Sequence, residues 1–145
     1  MQNNNFLRAE WTRSLILVTE AWWKLAWAAI RIRIPFGRQK LVLRAMGTGA
    51  MTCRARRVDP IQTVSLVKAV DYSRRFHAKG MYCLEQSLAL VWMLRRRGVA
   101  ATLQIGCRRD GSEFRFHAWV AGGDGTPLES SDIENRFAPF ASLSC

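Results

Sequence analysis

Apolar residues recur at steps of three and four through three stretches of the chain and then switch to strict alternation, so helices should come first and strands after them. Trp11, Leu15, Val18, Trp22, Leu25, Ala29 and Ile32 form one stripe, and Ile16, Trp23, Trp27, Ile30 and Ile34 form a second beside it. A long helix is therefore expected over about residues 6–34, buried along most of its girth, with Arg13, Glu20, Lys24 and Arg31 as a narrow polar strip. Pro35 ends it, and a short basic helix is expected over about residues 37–46 before the break at Gly47-Thr48-Gly49. Asp59-Pro60-Ile61-Gln62 reads as a second start, with Asp59 as N-cap, Pro60 at the first helical position and Gln62 reaching back. That helix should reach about Arg75, with Ile61, Val64, Val67 and Val70 inward.

The third helical stretch begins at Cys83. Leu84, Leu88, Val91 and Leu94 repeat on one face, and Gly98 stands where a left-handed C-terminal cap belongs. Alternation then takes over in residues 101–107 and 113–120, joined through Asp110-Gly111, which predicts a hairpin. Gly122-Gly123-Asp124-Gly125 makes another tight turn, and residues 126–129 should return as a third strand. Helices followed by a small antiparallel meander give the class α+β. The length suits one domain over residues 1–145, divided into a helical, cationic part (1–75) and a part that carries the chemistry (76–145).

Charge sharpens that division. Residues 1–80 hold 15 Lys and Arg against 4 Asp and Glu, while residues 81–145 hold 7 of each, so the first part carries the whole net charge of +11. Such a surface attracts an acidic peptide, a partner protein or anionic lipid. Nucleic-acid binding is not expected, because no groove-reading motif accompanies the 18 arginines. Glu20 and Lys24 interrupt the apolar run from Leu15 to Ile30, so a membrane-spanning helix is not expected; lying at a membrane interface or docking on a partner stays open. Cys53, Cys83, Cys107 and Cys145 show no metal-ligand spacing, and with no secretory signal the reading is reduced thiols in the cytoplasm, with no metal and no cofactor.

Two residues carry the candidate chemistry. A thiol at Cys83 feels the positive end of the helix dipole and nearby unpaired N–H groups, which favour the thiolate. On the second strand Phe114, Phe116 and Ala118 share one face, and Arg115, His117 and Trp119 the other. A nucleophilic cysteine and a strand-borne histidine are the two parts needed for acyl transfer, and they are expected within proton-transfer reach of each other. A third group should orient the imidazole. If residues 129–132 return opposite His117, the candidates are Glu129, which is favoured, and Asp132, with Asp124 too near the turn tip. The Cys83 backbone N–H should stabilise an oxyanion, with His77 or Gln86 as possible second donors. Trp119 is either a cleft wall or core, and Cys53, Cys107 and Cys145 are read as structural or incidental.

The runs Cys83-Leu84-Glu85-Gln86-Ser87-Leu88-Ala89-Leu90, Arg96-Arg97-Gly98-Val99, Leu103-Gln104-Ile105-Gly106 and His117-Ala118-Trp119-Val120, followed by Asp124-Gly125 and Arg136-Phe137-Ala138-Pro139-Phe140, resemble the transglutaminase-like leader peptidases of lasso-peptide biosynthesis. The similarity is strong over about residues 76–143 and loose in the helical half. The resemblance implies a papain- or transglutaminase-like core and a cysteine protease that removes the leader from a ribosomally made precursor peptide. The freed amine then passes to an ATP-dependent, asparagine synthetase-like cyclase. It also implies Cys83 as nucleophile, His117 as general base and acid, and Glu129 as the closest match to the family's acidic residue. Some members carry a leader-recognition domain before the peptidase, but residues 1–57 show no strand pattern, so a separate recognition protein is expected. The cationic, Trp-rich half, with Arg54, Arg56 and Arg57, would dock that partner and part of the leader.

Overall fold

The computed structural model describes residues 3–33, 60–77, 82–130 and 132–140. Helices α1 (Asn3–Arg33), α2 (Pro60–Arg75) and α3 (Cys83–Arg96) come first. A hairpin of β1 (Ala101–Asp110) and β2 (Glu113–Gly122) follows, then the single turn α4 (Ile133–Arg136) and the two-residue strand β3 (Ala138–Pro139). The class is α+β, as the change of period predicts. The helix expected over 37–46, the Arg54, Arg56 and Arg57 cluster, Asp59, Cys53 and Cys145 lie outside the described residues.

Helix α3 is the central element. It packs on α1 and α2 on one side and on both hairpin strands on the other. Leu88, Ala89, Leu90, Val91, Met93 and Leu94 are all buried, so its apolar face is wider than a single stripe and suits a helix covered from two directions. Glu85 reaches back to accept a hydrogen bond from the Tyr82 N–H at 2.9 Å, which satisfies a donor at the helix start. At the other end Gly98 adopts φ +75°, a left-handed conformation in which a Cβ would be strained, and so turns the chain into β1.

The inward faces of α1 and α2 differ from those expected. Ala21, Leu25, Ala28 and Ala29 of α1 are buried, whereas Leu15, Ile16, Trp23 and Ile30 stand exposed and Trp22 and Trp27 partly so. The helix is buried along one side only. The reason is steric: alanines at 21, 28 and 29 let α2 and α3 approach closely, which the tryptophans would prevent. On α2 the core takes Thr63, Leu66, Ala69, Val70 and Ser73 with Val67 packed against it, so Val67 and Val70 face inward as expected, while Ile61 (78% exposed) and Val64 face outward. The buried Ser73 hydroxyl lies 2.9 Å from the Val18 carbonyl of α1 and 2.7 Å from that of Ala69. It fixes the α1–α2 register.

An ion pair joins α1 to the end of α3. Arg97 donates to both Glu20 oxygens at 2.6 and 3.3 Å, with both side chains about four-fifths buried, and also donates to the Met93 carbonyl at 2.9 Å. The hydrogen bond from Arg97, reinforced by the charges of Arg97, Arg96 and Lys24, holds the Glu20 carboxyl below its ordinary range. A depressed acid adds stability above its unfolded-state pKa, about 4.5, and loses it as pH falls through the lower native value. Glu20→Gln should therefore cost about 2 kcal/mol at pH 7 and much less at pH 3, read from urea midpoints at the two pH values.

In the sheet the order is β2-β1-β3. β1 and β2 pair from Ala101↔Gly122 to Asp110↔Glu113, so each strand runs beyond its expected end and the turn shrinks to Gly111 and Ser112. The third strand is not the one expected. Residues 126–129 make only an isolated bridge, Ala121↔Pro127, with Leu128 N–H donating to the Val120 carbonyl at 2.9 Å. Strand β3 instead pairs with the far edge of β1, at Gly106↔Pro139 and Cys107↔Ala138. Pro127 occupies the non-hydrogen-bonded position of that bridge, between the Gly122 N–H to Thr126 carbonyl bond and the Leu128 bond, so its missing N–H costs the pairing nothing.

Candidate active site

Cys83 is the first residue of α3, so its backbone N–H has no intrahelical acceptor and points out of the helix start. Its side chain is partly buried against the edge of the hydrophobic core. One turn later, on the same helix face, the buried Ser87 hydroxyl donates to the Ala118 carbonyl of β2 at 3.0 Å. That carbonyl faces away from β1: Val120, two residues on, turns its carbonyl outward to Leu128, and Ala118 shares its parity. Ser87 thus pins the start of α3 to the outer edge of β2, next to His117. Four residues of helix span about 6 Å, so Cys83 lies within about that distance along the axis from the Ser87 contact.

The imidazole itself faces elsewhere. Ala118 and Val120 join the core shared with α3, whereas His117 and Trp119 project from the opposite face, with ring centroids 6.3 Å apart. The alternation predicted this division of faces. Phe137, delivered by α4, stacks on His117 at 5.0 Å, and the Arg108 guanidinium lies over the other side of the site at 5.2 Å from the Phe137 ring. No hydrogen bond joins Cys83 Sγ to His117. The expected proton-transfer contact is therefore not made in this conformation. No described strand flanks β2 at His117. Burial, and then the positive charge of Arg136, push the His117 pKa below 6.5, leaving the ring unprotonated and able to accept a proton at neutral pH.

None of the candidate acids is hydrogen-bonded to His117. Continuing the bridge register from Ala121↔Pro127 places Glu129 opposite Trp119, not opposite His117. Asp124 is occupied in its own turn, accepting from the Thr126 hydroxyl at 2.6 Å and the Thr126 N–H at 3.0 Å. Asp132 stands exposed at the N-cap position of α4 without a capping hydrogen bond, its carboxylate accepting from the Asn135 amide at 3.5 Å. His77, partly exposed, stacks on Trp22 at 4.9 Å with its Nε2 3.1 Å from the Trp22 carbonyl, tying the end of α2 to α1. Trp119 is fully buried, its indole N–H without a partner among the described residues, so it is core and not cleft wall. Among the described residues no group of three His, Cys, Asp or Glu side chains could hold a metal ion.

Glu129 forms no hydrogen bond or ion pair with a described residue, and burial pushes its carboxyl up to about 7. Between the unfolded value near 4.5 and 7 the folded chain holds a proton that the unfolded chain has released, so stability falls as pH rises through that window. The fall amounts to about 3 kcal/mol. Glu129→Gln, neutral throughout, should raise the melting midpoint at pH 8 and leave it nearly unchanged at pH 4. A lowered midpoint at pH 8 would instead reveal an ionised carboxylate held by a partner.

Sequence reasoning missed Ser87, Arg136 and Phe137 as site residues. Phe137 and Arg136 reach His117 only because β3 crosses to the far edge of the sheet. A glycine inside a strand, Gly106, was the available signal for a close backbone approach there.

A family model described as the transglutaminase-like superfamily matches residues 21–142. No curated protein and no solved structure gives a significant match. The matched stretch takes in Cys83, His117 and all three candidate acids, and begins within α1.

Proposed function

Because the chain belongs to the transglutaminase-like superfamily, which includes cysteine proteases, we propose that it is a cysteine peptidase that removes the leader from a lasso-peptide precursor in the cytoplasm. The observation that carries this reading is the Ser87–Ala118 contact, which sets the turn bearing Cys83 beside the strand bearing His117. On substrate binding the imidazole turns round the β2 edge and takes the thiol proton. The thiolate attacks the scissile carbonyl, and the imidazole hands that proton to the departing amine as the C–N bond breaks. Water then adds to the thioester, its proton passing through the imidazole to the regenerated sulfur. The Cys83 N–H at the helix start supports the oxyanion. Glu129 is the favoured third member, and serves as such once the substrate brings its carboxylate to His117. A separate leader-recognition protein docks on the cationic half through Arg54, Arg56 and Arg57, and an asparagine synthetase-like cyclase consumes the freed amine with ATP.

Incubation of the chain with its precursor, with and without the recognition protein, tests the reading. Mass spectrometry should find one cut at the leader boundary with the native chain and none with Cys83→Ala. An intact precursor in both cases would refute it. Charge reversal of Arg54, Arg56 and Arg57 to Glu should weaken partner binding while cleavage of a short test peptide survives.

The separation of thiol and imidazole in this conformation favours a second reading, a non-catalytic peptide-binding or scaffold subunit of a maturation complex. Equal, slow labelling of all four cysteines by a thiol probe would support it.

A further inference from the structure

We propose that α1 seats the protein on an anionic lipid bilayer, lying flat with Ile16, Trp23, Trp27 and Ile30 in the interface. At 100° per residue these four fall within about 60° of one another, directly opposite the stripe of Ala21, Leu25, Ala28 and Ile32 that faces α2 and α3. The outward ridge of α1 is thus apolar: Ile16 is 61% exposed, Trp23 65% and Ile30 61%. A solvated helix would place charge there. Beside the ridge Trp23, Lys24, Trp27 and Trp92 line an open groove of about 520 Å³, with Trp27 and Trp92 edge to face at 4.3 Å.

Three observations select lipid over other occupants. Arg13, Lys24 and Arg31 run along one flank of the ridge and Arg33 along the other, and the Arg31 guanidinium sits 4.6 Å over the Trp27 ring. The acid on this stretch, Glu20, is turned inward and taken by Arg97, so the flank presents cations. Indoles flanked by Lys and Arg suit the headgroup boundary, and each cation near an anionic surface adds to the attraction of a chain of net charge +11. A partner helix fits less well: with Ile16, Trp23 and Ile30 at one heptad position, the complementary positions fall either on Thr19 and Ala26 or on Glu20 and Trp27, and Glu20 is held by Arg97, so neither choice makes a continuous apolar seam. No described helix is long and apolar enough to cross a membrane, so the arrangement is interfacial.

The full chain should co-sediment with vesicles of equal phosphatidylcholine and phosphatidylglycerol at physiological salt, and not with phosphatidylcholine alone. The charge-neutral variant Ile16→Ser/Trp23→Ser/Ile30→Ser, checked for folding by circular dichroism, should lose partitioning at least about tenfold. Vesicles with brominated acyl chains should quench the tryptophan emission of the native chain, a readout that needs no variant. Equal partitioning of native chain and variant would reduce the effect to charge alone and overturn the proposal. So would absence of quenching, or a concentration-dependent dimer in light scattering that the variant abolishes without any lipid binding. Cleavage of a soluble test peptide by the variant should be unchanged, so failure here leaves the peptidase reading standing.

Discussion

Gly106→Ala should cost about 3 kcal/mol or more, lowering the melting midpoint by roughly 10 °C. A Cβ at position 106 would stand 2.5 Å from the Ala138 carbonyl oxygen and 2.8 Å from Cη2 of the buried Trp119. Neither neighbour can yield cheaply. The carbonyl belongs to backbone paired with β1, and the indole is enclosed on all sides. The strain should be relieved by shedding β3, which also carries Phe137 away from His117. Thermal and urea unfolding measure the loss, and hydrogen exchange at Phe140, whose N–H is held by the Ile105 carbonyl at 2.9 Å, should show the strand opening first. A variant within 0.5 kcal/mol of the native chain would mean that β1 and β3 are not so closely apposed.

His117→Ala should slow acyl transfer by about 10² to 10⁴ and remove the selectivity of a thiol probe for Cys83 over Cys53, Cys107 and Cys145. The pH dependence is the sharper test. Because burial and the Arg136 charge disfavour the imidazolium, the acid limb of the alkylation rate should lie below pH 6.5. Arg136→Gln removes the nearby positive charge, so the imidazolium becomes easier to form and the limb should move upward. A native limb above 6.5, or one indifferent to Arg136, would separate the thiol's reactivity from this histidine. Pairing should also depend on release of the ring from Phe137. Phe137→Ala is therefore expected to alter the alkylation rate of Cys83 while that of half-buried Cys107 changes little.

Where the chain carries its own punctuation, the fold was legible. Pro60 opens α2 at its observed first residue, Gly98 closes α3 in the left-handed region, and Asp110-Gly111 marks the hairpin turn. The faces of α1 were not, because two apolar stripes compete and the choice between them rests on how closely neighbouring helices can come. Alanines at 21, 28 and 29 decide that, and hydrophobicity scarcely registers them. The acid of the site was unreadable for a related reason. Its placement depended on a third strand of which only the Ala121↔Pro127 bridge forms, in a register that puts Glu129 opposite Trp119, and the sheet is completed from a more distant segment. Cys83 and His117 could be located on their elements from period alone, and alternation assigned the face of His117; the ring that stacks on it, Phe137, comes from twenty positions later and was not legible.

The pairing of Cys107 with Ala138 also sets an order of events during synthesis. While the ribosome still holds the segment beyond α4, the hairpin has one flank bare and the indole of Trp119 lacks its cover. The nascent chain must pass through that sticky half-sheet before it can close. Slowed translation just upstream of β3, or truncation before it, should therefore divert the protein into chaperone complexes and inclusion bodies, leaving little in the folded pool.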